Sequence, residues 1–232
     1  HGGCLIGKVY GTALRCVVLA DQPEGEEWAG PGPGFRAGVL AAQLADPSVT
    51  PAVGAALTAA IAALAAAGWP VTEIRAPWLD ELPRWEDSLA VIVARQACLV
   101  HAGRDTCGYA EGTRTLLEYG ASVTPGQFEL ALAAQAELTA AVDASLDGVD
   151  VLAGPTVGYQ APEQDPPFGL GDGNGESRFT GPYNLSGHPA MSLPVPGPGL
   201  PAGLQLCGRR GGDADLLRAA AAAERVLAAV RR

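Results

Sequence analysis

Phe179-Thr180-Gly181-Pro182-Tyr183-Asn184-Leu185-Ser186-Gly187-His188-Pro189-Ala190-Met191-Ser192-Leu193-Pro194-Val195 runs into a Pro196-Gly197-Pro198-Gly199 turn. The chain then continues Leu200-Pro201-Ala202-Gly203-Leu204-Gln205-Leu206-Cys207-Gly208. Residues 191–195 and 202–207 have the length and apolar content of two buried strands, and the Pro/Gly cluster between them supplies the turn. Pro189 pushes His188 out of helical geometry, so the chain bends before the first strand. Asn184 is suited to bonding nearby backbone or capping a turn. Gly203 and Gly208 bracket the second strand, where a missing side chain permits close backbone approach.

Working outward, residues 149–153 (Val149-Asp150-Val151-Leu152-Ala153) read as another short strand. The Gly/Pro-rich loop at 154–178 follows; it is either a lid or binding loop or a surface excursion. A closing helix is expected over 213–230, with Asp213 as its cap. Asp215 near its start and Arg231-Arg232 at its end suit the helix dipole. Upstream, Thr124-Pro125-Gly126-Gln127 has capping-box spacing and opens a helix to about Leu146, with Phe128, Leu132, Leu138 and Val142 facing inward. Residues 85–102 predict a helix with Trp85, Leu89, Ile92 and Leu99 on one face. Thr50-Pro51 starts another that Gly68 ends, and residues 70–74 follow as a strand. Residues 13–20 read as a strand within an otherwise irregular stretch, 1–38. Helices alternating with strands predict an α/β fold, a mixed sheet with flanking helices.

The chain has 232 residues, long enough for a sizeable core. Apolar residues make up 48% and charged residues 17%, which excludes wholesale disorder. A net charge of −10 disfavours a phosphate backbone as partner, and only Arg209-Arg210 and Arg231-Arg232 bring basic residues together. No nucleic-acid partner is expected. Residues 52–68 are mostly alanine and end in Gly68-Trp69-Pro70, a core helix rather than a membrane span. The N-terminus lacks a charged-then-apolar leader. Five scattered cysteines (Cys4, Cys16, Cys98, Cys107, Cys207) without C-x-x-C predict buried free thiols and a cytoplasmic location. His1, His101 and His188 are too few and scattered for a metal site, and His101 is expected to meet the helix dipole or water. There is no G-x-S-x-G elbow, phosphate loop, H-E-x-x-H or complete dinucleotide turn, and no cofactor is expected. A Ser–His pair assembled in space stays open, since triads form by geometry and not by order.

The order Asp150-Val151-Leu152-Ala153-Gly154-Pro155-Thr156, then Phe179 to Ala190, then Gly199 to Gly208, resembles the carboxy-terminal part of the amidase signature family. The sharpest similarity covers 149–230 and a weaker one reaches back to residue 12. Residues 1–12 are unassigned, so 1–232 is read as a single partial domain of the amidase-signature α/β/α fold. The resemblance implies a hydrolase of linear amide C–N bonds working through an acyl-enzyme. It also implies that Thr156, Tyr159, Phe179, Pro182 and Tyr183 line the acyl pocket, although each has a core-packing reading as well. Arg114 and Ser177 fall near positions where glutamine-specific members place an Arg and an acidic residue. The acidic residue is missing here.

In family members a Lys and a cis-Ser activate a nucleophilic Ser within a Gly-Gly-Ser-Ser signature. The seven serines here (48, 88, 122, 145, 177, 186, 192) lack that setting, and Lys8 is the only lysine. Cys4 and Lys8, four apart, are a weak substitute, and Lys8 also reads as a solvated surface charge. No catalytic residue is therefore assigned. The chain is expected to be inactive alone and to meet a small-molecule amide only when an upstream catalytic half joins it. The alternative is a catalytically dead binding or partner module of the same fold. A half-sheet leaves an unpaired edge, so self-association is expected.

Overall fold

The computed structural model describes residues 34–164, 175–195 and 199–230. Its five-stranded sheet has the order β2-β1-β3-β5-β4. The strands are β1 (Ala37–Val39), β2 (Val71–Glu73), β3 (Val151–Pro155), β4 (Ala190–Val195) and β5 (Ala202–Cys207). β1 pairs in parallel with both β2 and β3, whereas β5 is antiparallel to both β3 and β4. The sheet is thus mixed, as expected.

Helices α1 (Ala41–Leu44) and α2 (Pro51–Ala66) follow β1. A 3-10 turn, Pro77–Glu81, leads into α3 (Leu82–Val100), α4 (Glu111–Ser122) and α5 (Pro125–Ser145). The short α6 (Gly181–Ser186) precedes β4, and α7 (Asp213–Val230) closes the fold. The layers are legible from the core. Val53, Leu57 and Leu64 of α2 and Leu216, Ala220 and Leu227 of α7 bury Val151, Leu204 and Leu206 on one face. Trp78, Trp85, Leu138, Val142 and Tyr183 bury Leu152 and Cys207 on the other. Strand residues alternate between faces, so the central strands β3 and β5 feed both cores, while β4 turns Leu193 and Val195 to the first one only.

Local chemistry sets the helix ends. Thr50 Oγ1 accepts from the Val53 amide, and Pro51 needs no partner at the first position. Thr124 and Gln127 form the reciprocal capping box the spacing predicts. Arg36 ties the starts of two strands together. Its amide and guanidinium donate to the Asp150 carboxylate at 2.8 and 2.7 Å, while the Asp150 amide donates to the Arg36 carbonyl.

Several expectations are corrected. Residues 37–39 form β1 instead of an irregular stretch; three residues are too few to show periodicity, and pairing with β2 and β3 defines the strand. The expected strand at 13–20, with Cys4, Lys8 and Cys16, lies outside the described residues. The helix that Thr124 opens is preceded by a separate one, α4, because Val123 is extended and Pro125 disfavours helical geometry at Thr124. Leu132 is 39% and Leu99 57% exposed. The inward stripe of α5 is Ala131, Ala134, Leu138, Val142 and Ser145, and Leu132 points about 100° away from it. Leu99 sits in the last turn of α3, beyond its buried stripe. Asp213 is the first helical residue rather than the cap. Cys207 is buried, but Cys98 is only partly so and Cys107 is exposed. His101 ends α3 with Nδ1 at 2.8 Å from the Tyr109 hydroxyl, its actual partner. Among the described residues, no helix is long and apolar enough to cross a membrane.

Candidate functional site

β1 ends at Val39, in register with Ala153, and its parallel neighbour β3 runs on to Pro155; ligands commonly sit at this carboxyl edge of an α/β sheet. Beyond β3, Thr156 extends the sheet by donating its amide to Gly203 O at 2.9 Å. Its Oγ1 lies 2.6 Å from Ser192 Oγ on β4. A Cβ at Gly203 would stand 2.7 Å from both oxygens, so the bare glycine lets the two hydroxyls meet.

The segment after α1 crosses this end. The Thr50 amide donates to Gly158 O at 2.7 Å. Asp46 Oδ1 accepts from the Ser48 amide and hydroxyl at 2.9 and 2.6 Å. Its Oδ2 accepts from Arg178 Nε and Nη2 at 3.1 and 2.7 Å, and Arg178 Nη1 lies 4.0 Å from Glu86. Burial opposes ionisation of Asp46, but the Arg178 and Ser48 hydrogen bonds prevail and hold its carboxyl below the usual range. Burial pushes Glu86 up, against the pull of Arg178.

Two buried carboxamides share one side of the sheet. Gln205, paired in register with Gly154, donates from Nε2 to Phe179 O at 3.0 Å. Gln43, 2% exposed, packs over Gly154, where a Cβ would come within 2.2 Å of its Oε1. Neither polar atom of the Gln43 carboxamide has a hydrogen-bond partner among the described residues.

Of the pocket residues implied by the sequence, Thr156 and Tyr159 are half-buried at this end. Burial raises the Tyr159 phenol, aided by a hydrogen bond with Glu176. Phe179 is fully buried, close to Gly158, and Pro182 is buried at the start of α6. Tyr183 is 3% exposed and packs edge-on against Trp78, with ring centroids 6.2 Å apart. Burial drives its phenol well above the ordinary value. Thr156, Tyr159 and Phe179 thus gather around the β3 exit, while Tyr183 belongs to the apolar core under α3 and α5. Arg114 lies on α4, where its guanidinium donates to Tyr109 O. Asp46, Glu86, Arg178 and Gln43 had no sequence signal, since each is an ordinary polar residue placed only by the tertiary fold. Gln205 lay inside the quoted motif without an assigned role. Among the described residues no group of His, Cys, Asp and Glu is arranged to hold a metal.

The family model described as Amidase matches residues 26–217. A fatty acid amide hydrolase of Medicago truncatula is 44% identical over 87 residues, covering 34% of this chain and 14% of that protein. A second fatty acid amide hydrolase, from Oryza sativa subsp. indica, is 46% identical over 84 residues, covering 33% of this chain and 14% of that protein. A solved amidase shares the fold with TM-score 0.78 and 24% identity, across 94% of this chain and 51% of its own. A 6-aminohexanoate cyclic dimer hydrolase solved with substrate gives 0.69 and 26%, across 90% and 50%. The chain therefore spans about half the length of these solved relatives and a smaller share of the curated ones.

Proposed function

The chain belongs to the amidase family, and on that premise we propose that it forms the carboxy-terminal part of a hydrolase of linear amide C–N bonds. The family match carries this reading, because residues 26–217 include all five strands and the whole Thr156–Ser192–Gly203 junction. In this reading Thr156 and Tyr159 contact the acyl part of the amide and Phe179 packs behind them, while Pro182 and Tyr183 serve the buried core. The Asp46–Arg178–Glu86 cluster is the charged rim.

The nucleophile, its base and the amides that hold the oxyanion come from elsewhere. The chain has no Gly-Gly-Ser-Ser, and Lys8 is its only lysine. Acyl transfer needs an activated hydroxyl beside a positioned base, together with donors for the developing oxyanion. The chain alone is accordingly expected not to turn over a small amide.

The test is hydrolysis of a panel of simple linear amides by the 232-residue chain, with and without an upstream amidase half co-expressed. Activity only in the combination supports the reading, and there Thr156→Val should raise KM more than it lowers kcat. Hydrolysis by the chain alone, abolished by Lys8→Ala, overturns it. A folded chain inactive in both settings leaves the binding-module alternative.

A further inference from the structure

The structure supplies the Ser–His pair that the sequence left open, apart from the strand ends. His188 follows Gly187, whose φ of 74° ends α6, and the imidazole has no exposed surface. Its Nδ1 lies 2.9 Å from Ser186 Oγ, and its Nε2 lies 3.1 Å from Asp143 Oδ1 on α5. A carboxylate only accepts, so Nε2 carries the proton and Nδ1 is left as the acceptor for the Ser186 hydroxyl. Burial lowers the pKa of the ring against the pull of Asp143, so the imidazole is neutral near pH 7 and free to take a proton.

The relay opens on a cleft. Asp143, Ser186, Gly187, Asn184, Thr139 and Arg210 line a space of about 490 Å³ between α5 and α6. Ser186 keeps 4% of its surface exposed. Arg210 steadies the far side of Asp143, with Nη2 at 2.7 Å from Oδ2. Its Nη1 group has no hydrogen-bond partner among the described residues and is available to a ligand.

We propose that Ser186, with His188 as base and Asp143 as its orienter, is a nucleophile that accepts an acyl group from an activated ester entering this cleft. Ser186 Oγ bonds to the ester carbonyl carbon while its proton passes to His188 Nδ1. The ester C–O bond then breaks, its electron pair leaves on the alcohol oxygen, and that oxygen takes the proton back. Arg210 offers its Nη1 donors to the carbonyl oxygen as charge develops there. Deacylation needs water at Nδ1, and the sealed imidazole admits none once the acyl group is in place. The acyl-serine therefore accumulates, giving a single turnover. This chemistry uses no part of the strand-end site, so failure of the amide reading leaves it untouched.

The experiment treats the 232-residue chain with p-nitrophenyl butyrate and, separately, with a fluorophosphonate probe. The expected result is a burst of one p-nitrophenolate per chain without steady turnover. Tryptic cleavage after Arg178 and Arg209 gives a peptide whose only serines are Ser186 and Ser192, and fragmentation should place both adducts on Ser186. Ser186→Ala should abolish labelling, and His188→Gln and Asp143→Asn should slow it by about tenfold or more. An unlabelled wild-type chain, or an adduct on Ser192 or any other residue, overturns the proposal. The wild-type mapping decides even if a variant fails to fold.

Discussion

Thr156 and Ser192, 36 positions apart, bring their hydroxyl oxygens to 2.6 Å above the bare α-carbon of Gly203. Gly203→Ala places a methyl 2.7 Å from both oxygens and 2.9 Å from Thr156 Cβ, so both hydroxyls must rotate away and the Thr156 Cβ, fixed to its backbone, must shift. The expected cost is ~1–3 kcal/mol, read as a lower urea midpoint. Gly126→Ala is the opposite case. It lies near the start of α5 with nothing within 4 Å of a new Cβ, and should be neutral or stabilising by ~0.5–1 kcal/mol. Equal effects of the two changes would contradict this account of the site.

Gly120 is the point where α4 lies on α3. A Cβ there would stand 2.0 Å from Ala94 O and 2.9 Å from Cys98 Cβ. Gly120→Ala should lift α4 away while the sheet stays intact. Hydrogen exchange checks this directly: amides of 111–122 should exchange faster, and those of β3 and β5 should keep their protection.

Acid should weaken the fold in two stages. His188 is held below 6.5 by burial, with Asp143 opposing. Asp150 is held below 3.8 by hydrogen bonds from Arg36. Asp46 and Asp143 are below it too, since hydrogen bonds from Arg178 and Ser48, and from Arg210 and His188, outweigh their burial. In each case the unfolded chain binds more protons than the folded one, so stability rises with pH. The urea midpoint should fall as pH drops below about 6.5 and fall again below about 4. Glu86, raised by burial, acts in the opposite sense and blunts the second stage. His188→Gln should remove the first stage alone; a wild-type midpoint unchanged between about pH 7 and 5 would refute it.

Trp78 donates its indole N–H to Ser145 Oγ at 3.0 Å, and its carbonyl accepts from Trp85 Nε1 at 2.7 Å. Ser145→Ala strands a buried donor and should cost ~1–3 kcal/mol. Tryptophan emission should shift on substitution, and an unchanged spectrum with unchanged stability would show that another acceptor takes over.

β4 is an edge strand with nothing paired on its outer side among the described residues. Such edges recruit other strands. Light scattering across a concentration series should show association of the chain, and a monomer at every concentration would count against it.

Much of this architecture was readable. Thr50-Pro51 and Thr124-Pro125-Gly126-Gln127 announced two helix starts because capping is local chemistry. The strands expected at 149–153, 191–195 and 202–207 showed as short apolar runs between turn residues, although β3 is shifted to 151–155 and takes in Gly154 and Pro155, which read as loop. β1 and α4 did not show. β1 is three residues long and exists through its neighbours, and α4 buries one residue, Gly120, and has no capping side chain. At the candidate site, Thr156 is singled out in the sequence because it stands in an ordered motif. Asp46 and Arg178 meet across 132 positions, and such a distance leaves no trace in a linear reading.

The sheet order also has a consequence for biosynthesis. β1 and β2 leave the ribosome before the other strands, and β3, the neighbour on the other side of β1, follows β2 by about 80 residues. At ~5–20 residues per second, that edge of β1 waits on the order of 4–16 s for its partner. The three helices α3, α4 and α5 are synthesised within that interval, with the strand that completes their apolar floor still to come. Nascent chains of this protein should therefore engage holding chaperones while they are being made.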